Sequence, residues 1–199
     1  MILDATASNR TIWQEKDFEN IVYLDVEKRL ERKPTIFADN NKLPFQDQIF
    51  DTIFYDPPYY WGSPKDFYSI PDAKTYKELF GENRKFPRYY GVDKFKSKTA
   101  LIASIHRAFK EFERVLKPDG LVWFKWCDMD IPLRKINGIF LNWVELMRLN
   151  ISDVNQTRNT VNKCQTYWVT FGYRPTSQIT LEVLPDQQVM PFILSDVKP

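Results

Sequence analysis

Asp56, Pro57, Pro58 and Tyr59 follow directly on the apolar run Thr52-Ile53-Phe54-Tyr55. With proline near a twentieth of an average composition, an acidic or amide residue, two prolines and an aromatic in succession arise by chance in about one in a hundred chains of this length. The four residue types suit the handling of a planar amino group. An amine on a heteroaromatic ring has its lone pair drawn into the ring and is a poor nucleophile. A catalyst therefore gains by accepting hydrogen bonds from both of its protons while the nitrogen rehybridises. The Asp56 carboxylate can accept from one proton and the carbonyl of Pro57 from the other. The two prolines stiffen the backbone that carries this carbonyl and bring no N–H to compete for it. Tyr59 offers a flat face against which an extruded base can lie. The competing reading of the four residues is a rigid loop after a buried strand.

The elements that must position them follow from periodicity. Short apolar, β-rich runs alternate with longer amphipathic stretches, the pattern of strands and crossovers in an α/β sheet. The strand candidates Ile2 to Asp4, Ile21 to Asp25, Thr35 to Asp39 and Thr52 to Asp56 each close on an aspartate. Carboxylates at strand C-termini of such a sheet face the crevice where ligands bind. Asp25 or Asp39 alone could cap a helix; at successive strand ends they read as ligand contacts. Leu101, Ile105, Ala108, Phe109, Phe112 and Leu116 fall on one face of a helix expected over Ser97 to Leu116. Lys117-Pro118-Asp119-Gly120 should stop it, and a buried strand from Leu121 to Trp126 follows. A second helix is expected from about Leu133 to Leu149, then strands over Ile151 to Asn155 and Thr166 to Tyr173. Gln178 to Leu184 could add an edge hairpin or a partner contact.

The segment from Tyr60 to Lys98 has a different character, with nine Lys or Arg against five Asp or Glu and ten aromatics. An insert of this length without clear periodicity is usually functional or disordered. Over the whole chain of 199 residues the formal charge is only +2, so a polyanion would have to be held by a local basic patch. Cys127 and Cys164 are too few for a disulfide framework and lack zinc-site spacing, so no metal is expected. With no apolar leader and no run long enough to cross a bilayer, the chain reads as soluble and cytoplasmic, without a membrane partner. His106 lies between apolar helix positions and reads as structural. A His, Ser or Cys constellation for hydrolytic chemistry is not evident.

On Asp56 to Tyr59 the chain resembles the S-adenosylmethionine-dependent amino-methyltransferases, which modify adenine N6 or cytosine N4 and carry a D/N/S-P-P-Y/F/W motif. The resemblance runs from Ile2 to about Tyr173. It implies a Rossmann-like methyltransferase fold: α/β, with a mostly parallel seven-stranded sheet, an antiparallel last strand and helices on both faces. It also implies a catalytic domain over 1–175 containing the 60–98 insert, with a C-terminal extension at 176–199. The implied cofactor is S-adenosylmethionine, with Asp4, Ala5, Thr6, Ala7, Asp25, Asp39, Asn40 and Asp56 as its candidate contacts, Asp25 at the ribose and Asp39 at the amino group of the adenine. Leu43-Pro44-Phe45 looks like the family's apolar wall on that ring. The family's first motif, D/E-x-F/A-x-G-x-G, corresponds to Asp4 through Arg10, with Ser8 and Arg10 in place of its two glycines. Such side chains should restrict the close backbone approach that glycine allows, although Asn9 can still form a tight turn.

Asp56, Pro57, Pro58 and Tyr59 are then the catalytic residues, and the leading substrate is adenine in DNA, in a stand-alone or restriction-modification setting. The acid at the first position favours adenine, since many cytosine-N4 enzymes use Ser there. Cytosine N4, an RNA base or a glutamine amide presents a similar amine. Within the insert, Lys85, Arg88 and Lys94 would meet phosphates, and Trp61, Tyr68, Tyr89 and Tyr90 would stack or wedge. A homodimer is compatible with the sequence. A reading of another class is a degenerate methyltransferase-like subunit that binds DNA without catalysis, supported by the two missing glycines. A nicotinamide oxidoreductase is disfavoured by the lack of G-x-G-x-x-G.

Overall fold

The structure is a computed structural model that describes residues 1–28, 30–59, 95–128, 131–137, 140, 142–151 and 165–174. Seven strands lie among the described residues: β1 (Ile2–Asp4), β2 (Ile21–Asp25), β3 (Ile36–Phe37), β4 (Phe50–Tyr55), β5 (Leu116–Cys127), β6 (Trp143–Asn150) and β7 (Thr166–Tyr173). They form one sheet in the order β3-β2-β1-β4-β5-β7-β6. Strands β1 to β5 pair in parallel, and β7 runs antiparallel to both of its neighbours, β5 and β6. This is the Rossmann-like methyltransferase topology expected from the sequence. The chain builds outward from β1 to β3 and then returns to β4 on the other side of β1. The strand order therefore reverses between β1 and β4, where α/β sheets bind their ligands.

Helix α1 (Lys98–Val115) matches its expected span. Ser97 caps it by accepting a hydrogen bond from the Ala100 N–H at 3.2 Å. Leu101, Ser104, Ile105, Ala108, Phe109, Phe112 and Val115 form its buried stripe. Strand alternation supplies the opposing surface: Ile53, Tyr55, Val122, Phe124, Val169 and Phe171 join the same core. Phe109 is its hub, in ring contact with Tyr55, Phe112, Phe124, Phe140, Trp143 and Phe171. Arg114 fastens the approach to β4 by donating to the carbonyls of Leu43 and Phe45, at 3.0 and 2.7 Å.

The sequence expectations fail after β5. The helix expected over Leu133 to Leu149 is a five-residue α2 (Leu133–Asn137), and Trp143 to Asn150 is strand β6. The apolar residues there fit either period, and backbone pairing with β7 decides for the strand. Ile151, expected to open a strand, lies just past β6 with its N–H on the Thr166 carbonyl at 2.8 Å; residues 152–155 are outside the described part. Strand β3 is shorter than expected. Strand β5 starts at Leu116 and crosses Lys117-Pro118-Asp119-Gly120 with a register shift opposite Phe50 and Thr52. Gly120 is required there, because a Cβ would come 3.0 Å from the Asp51 carbonyl oxygen and 2.5 Å from the Leu116 side chain.

Both described helices feed the one large core. The described connections between β1 and β4 are turns and bends, and the opposite face carries Trp13, Tyr23, Phe54, Trp123 and Trp168 in edge or stacked contacts. Most of the insert, the hairpin expected at Gln178 to Leu184 and the extension at 176–199 lie outside the described residues. No described helix is long and apolar enough to cross a membrane.

Candidate functional site

Asp56 stands one residue past β4, beside the reversal in strand order. The β4–β5 register ends with Phe54 against Trp123 and Tyr55 against Phe124, so the next residues along the two strands, Asp56 and Lys125, emerge side by side. Lys125 Nζ donates to Asp56 Oδ2 at 2.8 Å, with the two side chains only 23% and 15% exposed. The Asp56 N–H donates to Thr6 Oγ1 at 2.8 Å, tying the end of β4 to the loop after β1. Burial pushes the Asp56 carboxyl above the usual carboxylate range, and the Lys125 ammonium pulls it back down. Pro57 is buried. Pro58 and Tyr59 are half-buried, with Tyr59 packed against the core.

The loop after β1 is held by backbone bonds on both sides. The Ala5 N–H donates to the Phe54 carbonyl and the Ala7 N–H to the Leu24 carbonyl, each at 2.9 Å. Ser8 and Arg10 take φ values of 47° and 59°, in the left-handed region that glycine occupies without penalty. The two positions that depart from the glycine pattern in sequence therefore keep a glycine-like backbone, with the strain offset by tethers. The Ser8 N–H donates to Asp25 Oδ2 at 2.8 Å. The Arg10 guanidinium donates to the carbonyls of Lys16 and Lys33 and to Asp17, and sits 3.9 Å over the Tyr23 ring. Asn9 accepts from the N–H groups of Glu31 and Arg32, at 3.0 and 3.2 Å.

Asp4 lies beneath this loop, 1% exposed, with Oδ1 accepting from the Thr6 N–H at 3.2 Å and Oδ2 from Trp13 Nε1 at 2.7 Å. Burial raises its carboxyl to about 7, the two hydrogen bonds oppose the rise, and the charges of Asp56 and Asp25 add to it. Both oxygens thus accept from the chain itself, and these bonds shape the loop from below. Asp25, half-buried, accepts from the Ser8 and Glu27 N–H groups at 2.8 Å each, and burial raises its carboxyl too. Asp39 is exposed and its Oδ1 accepts from the N–H and side chain of Asn41. Asn40 Nδ2 donates to the Ala5 carbonyl at 3.3 Å, linking the end of β3 to the loop. Asp4, Ala5, Thr6, Ala7, Asp25, Asn40 and Asp56 are thereby connected at one end of the sheet. Leu43 packs into the core beneath α1, and Phe45 sets its ring edgewise on Phe50.

Trp61, Lys85, Arg88, Tyr89 and Lys94 lie outside the described residues. Two residues of the site escaped the sequence reading. Lys125 is the one charge inside the run Leu121 to Trp126, and that interruption was its available signal. Trp13, which donates to Asp4 and meets Phe54 edge-on with ring centroids 4.7 Å apart, gave none. A cleft of about 170 Å³ lined by His106, Phe109, Lys110, Glu113, Phe140, Asn142 and Trp143 shares no residue with the site. It adjoins the first residue of β6, which runs parallel to β5, and so lies at the opposite end of the sheet from Asp56.

No family model and no curated protein matches the sequence. Among solved structures, PH0226 from Pyrococcus horikoshii OT3 matches with a TM-score of 0.53 at 13% identity, over 87% of this chain and 81% of that one. The N-methyltransferase NodS from Bradyrhizobium japonicum WM9 matches with a TM-score of 0.47 at 12% identity, over 87% and 84%. NodS in complex with S-adenosyl-L-homocysteine gives 0.46 at 12% identity, over 86% and 76%. At 13% identity the likeness to PH0226 is one of fold.

Proposed function

We propose that the protein transfers a methyl group from S-adenosylmethionine to the exocyclic amino group of a nucleic-acid base, with adenine N6 in DNA the leading substrate. The observation that carries the reading is Asp56-Pro57-Pro58-Tyr59 at the end of β4, tied through Thr6 to the loop after β1 at the point where strand order reverses. The cofactor fits the residues present. Ser8 and Arg10 hold a glycine-like loop, and Asp25, Asp39 and Asn40 offer acceptors and an amide at successive strand ends for a ribose and an adenine. When bound, S-adenosylmethionine supplies an electrophilic methyl on a sulfonium.

The chain's own residues do the rest. Asp56 and the Pro57 carbonyl accept the two amine hydrogen bonds, which draws the nitrogen lone pair out of the ring. Tyr59 would lie against the base, and Pro57 and Pro58 would hold the backbone that positions the nitrogen for transfer. The surplus proton leaves the nitrogen through the Asp56 carboxylate to solvent. The basic, aromatic insert, with Trp61, Lys85, Arg88, Tyr89 and Lys94, supports a nucleic-acid substrate. The degenerate-subunit reading rests on the missing glycines, and the left-handed backbone at Ser8 and Arg10 speaks against it as far as loop shape is concerned.

The test is to incubate the protein with methyl-labelled S-adenosylmethionine and DNA or RNA, digest to nucleosides and identify the product by mass spectrometry. N6-methyladenosine from DNA, in its deoxy form, is the expected product. Label on cytosine N4 or on RNA would move the substrate within the same chemistry. Absence of any methylated nucleoside from folded protein would overturn the reading.

A further inference from the structure

We propose that Lys125 is the positioning residue for Asp56: its ammonium claims Oδ2 from the neighbouring strand and leaves Oδ1 as the oxygen that meets the substrate amine. This assignment rests on the amino-transfer reading and deepens it. A carboxylate meant to receive an N–H must be ionised and correctly aimed, and the surroundings of Asp56 work against both. Burial favours the neutral acid, and a protonated Asp56 would offer a donor where an acceptor is needed. Facing it from the neighbouring elements are Lys125 on β5 and Asp4 at the end of β1, with Asp25 on β2 beyond Asp4. Asp39, after β3, is felt at Tyr55. Among the described residues Lys125 is therefore the cation paired with Asp56 in a cluster that is otherwise acidic.

Geometry gives the pair its aim. Asp56 has left the strand, and its backbone is held by the Thr6 hydroxyl. Lys125 is inside β5, in register with Trp168 of β7, so the base of its side chain is set by that ladder. An ammonium fixed in this way at 2.8 Å from Oδ2 restricts rotation of the carboxylate. The same arrangement limits what Asp56 can do. The pair carries no net charge, so Asp56 acts by orienting the amine and taking its proton, and less as a bare counter-charge to the methylated nitrogen.

The experiment reads the titration of Asp56 directly, by carboxyl carbon NMR of the full chain, with the resonance assigned by its loss in Asp56→Asn. Wild type is compared with Lys125→Met, which keeps most of the stem, Lys125→Gln, which keeps a neutral donor, and Lys125→Arg, which keeps the charge. Met and Gln should raise the Asp56 midpoint by a pH unit or more, and Arg should leave it within a few tenths. Where methyl transfer is measurable, the acidic limb of kcat/KM should move up with the NMR midpoint and activity should recover at higher pH. An Asp56 midpoint unmoved in the Met and Gln variants overturns the assignment. A moved midpoint in a protein that methylates no amine leaves the pairing in place and rejects the amino-transfer reading instead.

Discussion

Asp4→Asn should make the protein more stable above neutral pH and less dependent on pH below it. The Asp4 carboxyl rises from 3.8 to about 7 in the folded chain, chiefly through burial. Between those values the folded protein holds a proton that the unfolded chain has released, so stability falls as pH rises from about 4 to about 7 and stays at the lower level above. At about 1.4 kcal/mol per pH unit, a shift of about three units corresponds to roughly 4 kcal/mol, of which about 2 kcal/mol is lost between pH 5 and 7. Asparagine is neutral throughout and escapes this loss. Its single oxygen can serve the Thr6 N–H or Trp13 Nε1 in the present geometry, and the NH2 group then faces the other donor at a cost of about 1–2 kcal/mol. The net expectation is a gain of about 2–3 kcal/mol at pH 8 and a small loss at pH 4, with the two stability curves crossing between. Urea unfolding of both proteins at half-unit steps from pH 4 to 8 measures this. Asp25 and Asp56 are also raised by burial and give a slope of the same sign, so the difference between the two proteins isolates Asp4. A difference that is constant across the range would refute the reasoning, because it would mean that Asp4 is ionised at every pH sampled.

Asp56→Ala should abolish methyl transfer while S-adenosylmethionine binding, followed by calorimetry, stays near the wild-type value, since Asp56 is assigned to the amine; undiminished turnover would remove it from that role. Phe109→Ala should cost about 3–5 kcal/mol in denaturant unfolding, because it opens a cavity at the ring that joins α1 to β4, β5, β6 and β7. A loss under about 1 kcal/mol would show that the core collapses around the gap. Ser8→Gly should be near neutral, the relief of a left-handed backbone being offset by the entropy glycine gains in the unfolded chain. Arg10→Gly should instead destabilise by about 2 kcal/mol or more through loss of its bonds to Lys16, Lys33 and Asp17. Thermal unfolding that ranks Arg10→Gly above wild type would show the tethers to be unimportant.

Much of the framework was legible because it is local. The runs Ile2 to Asp4, Ile21 to Asp25 and Thr166 to Tyr173 become strands with those bounds. The stripe from Leu101 to Phe112 becomes one helix face, since alternation and helical spacing are written within a few residues of chain. The four aspartates could be placed at strand ends for the same reason. Trp143 to Asn150 shows the limit: its apolar residues satisfy either period, and the Asn137-Gly138 break ahead of them was the local sign that the helix had ended.

By itself the sequence settled the sheet class, α1, and the Asp56 to Tyr59 motif that suggests amine chemistry. The tertiary structure decided what surrounds that motif. Asp56 and Lys125 are 69 residues apart and meet through the register of β4 on β5. Thr6 reaches Asp56 across 50 residues, and Ser8 and Arg10 hold a glycine-like backbone because distant carbonyls and carboxylates tether them. Side-chain type and spacing specify short-range geometry. Which oxygen of a carboxylate is occupied, and whether burial leaves it charged, depends on strands brought together from far apart in the chain.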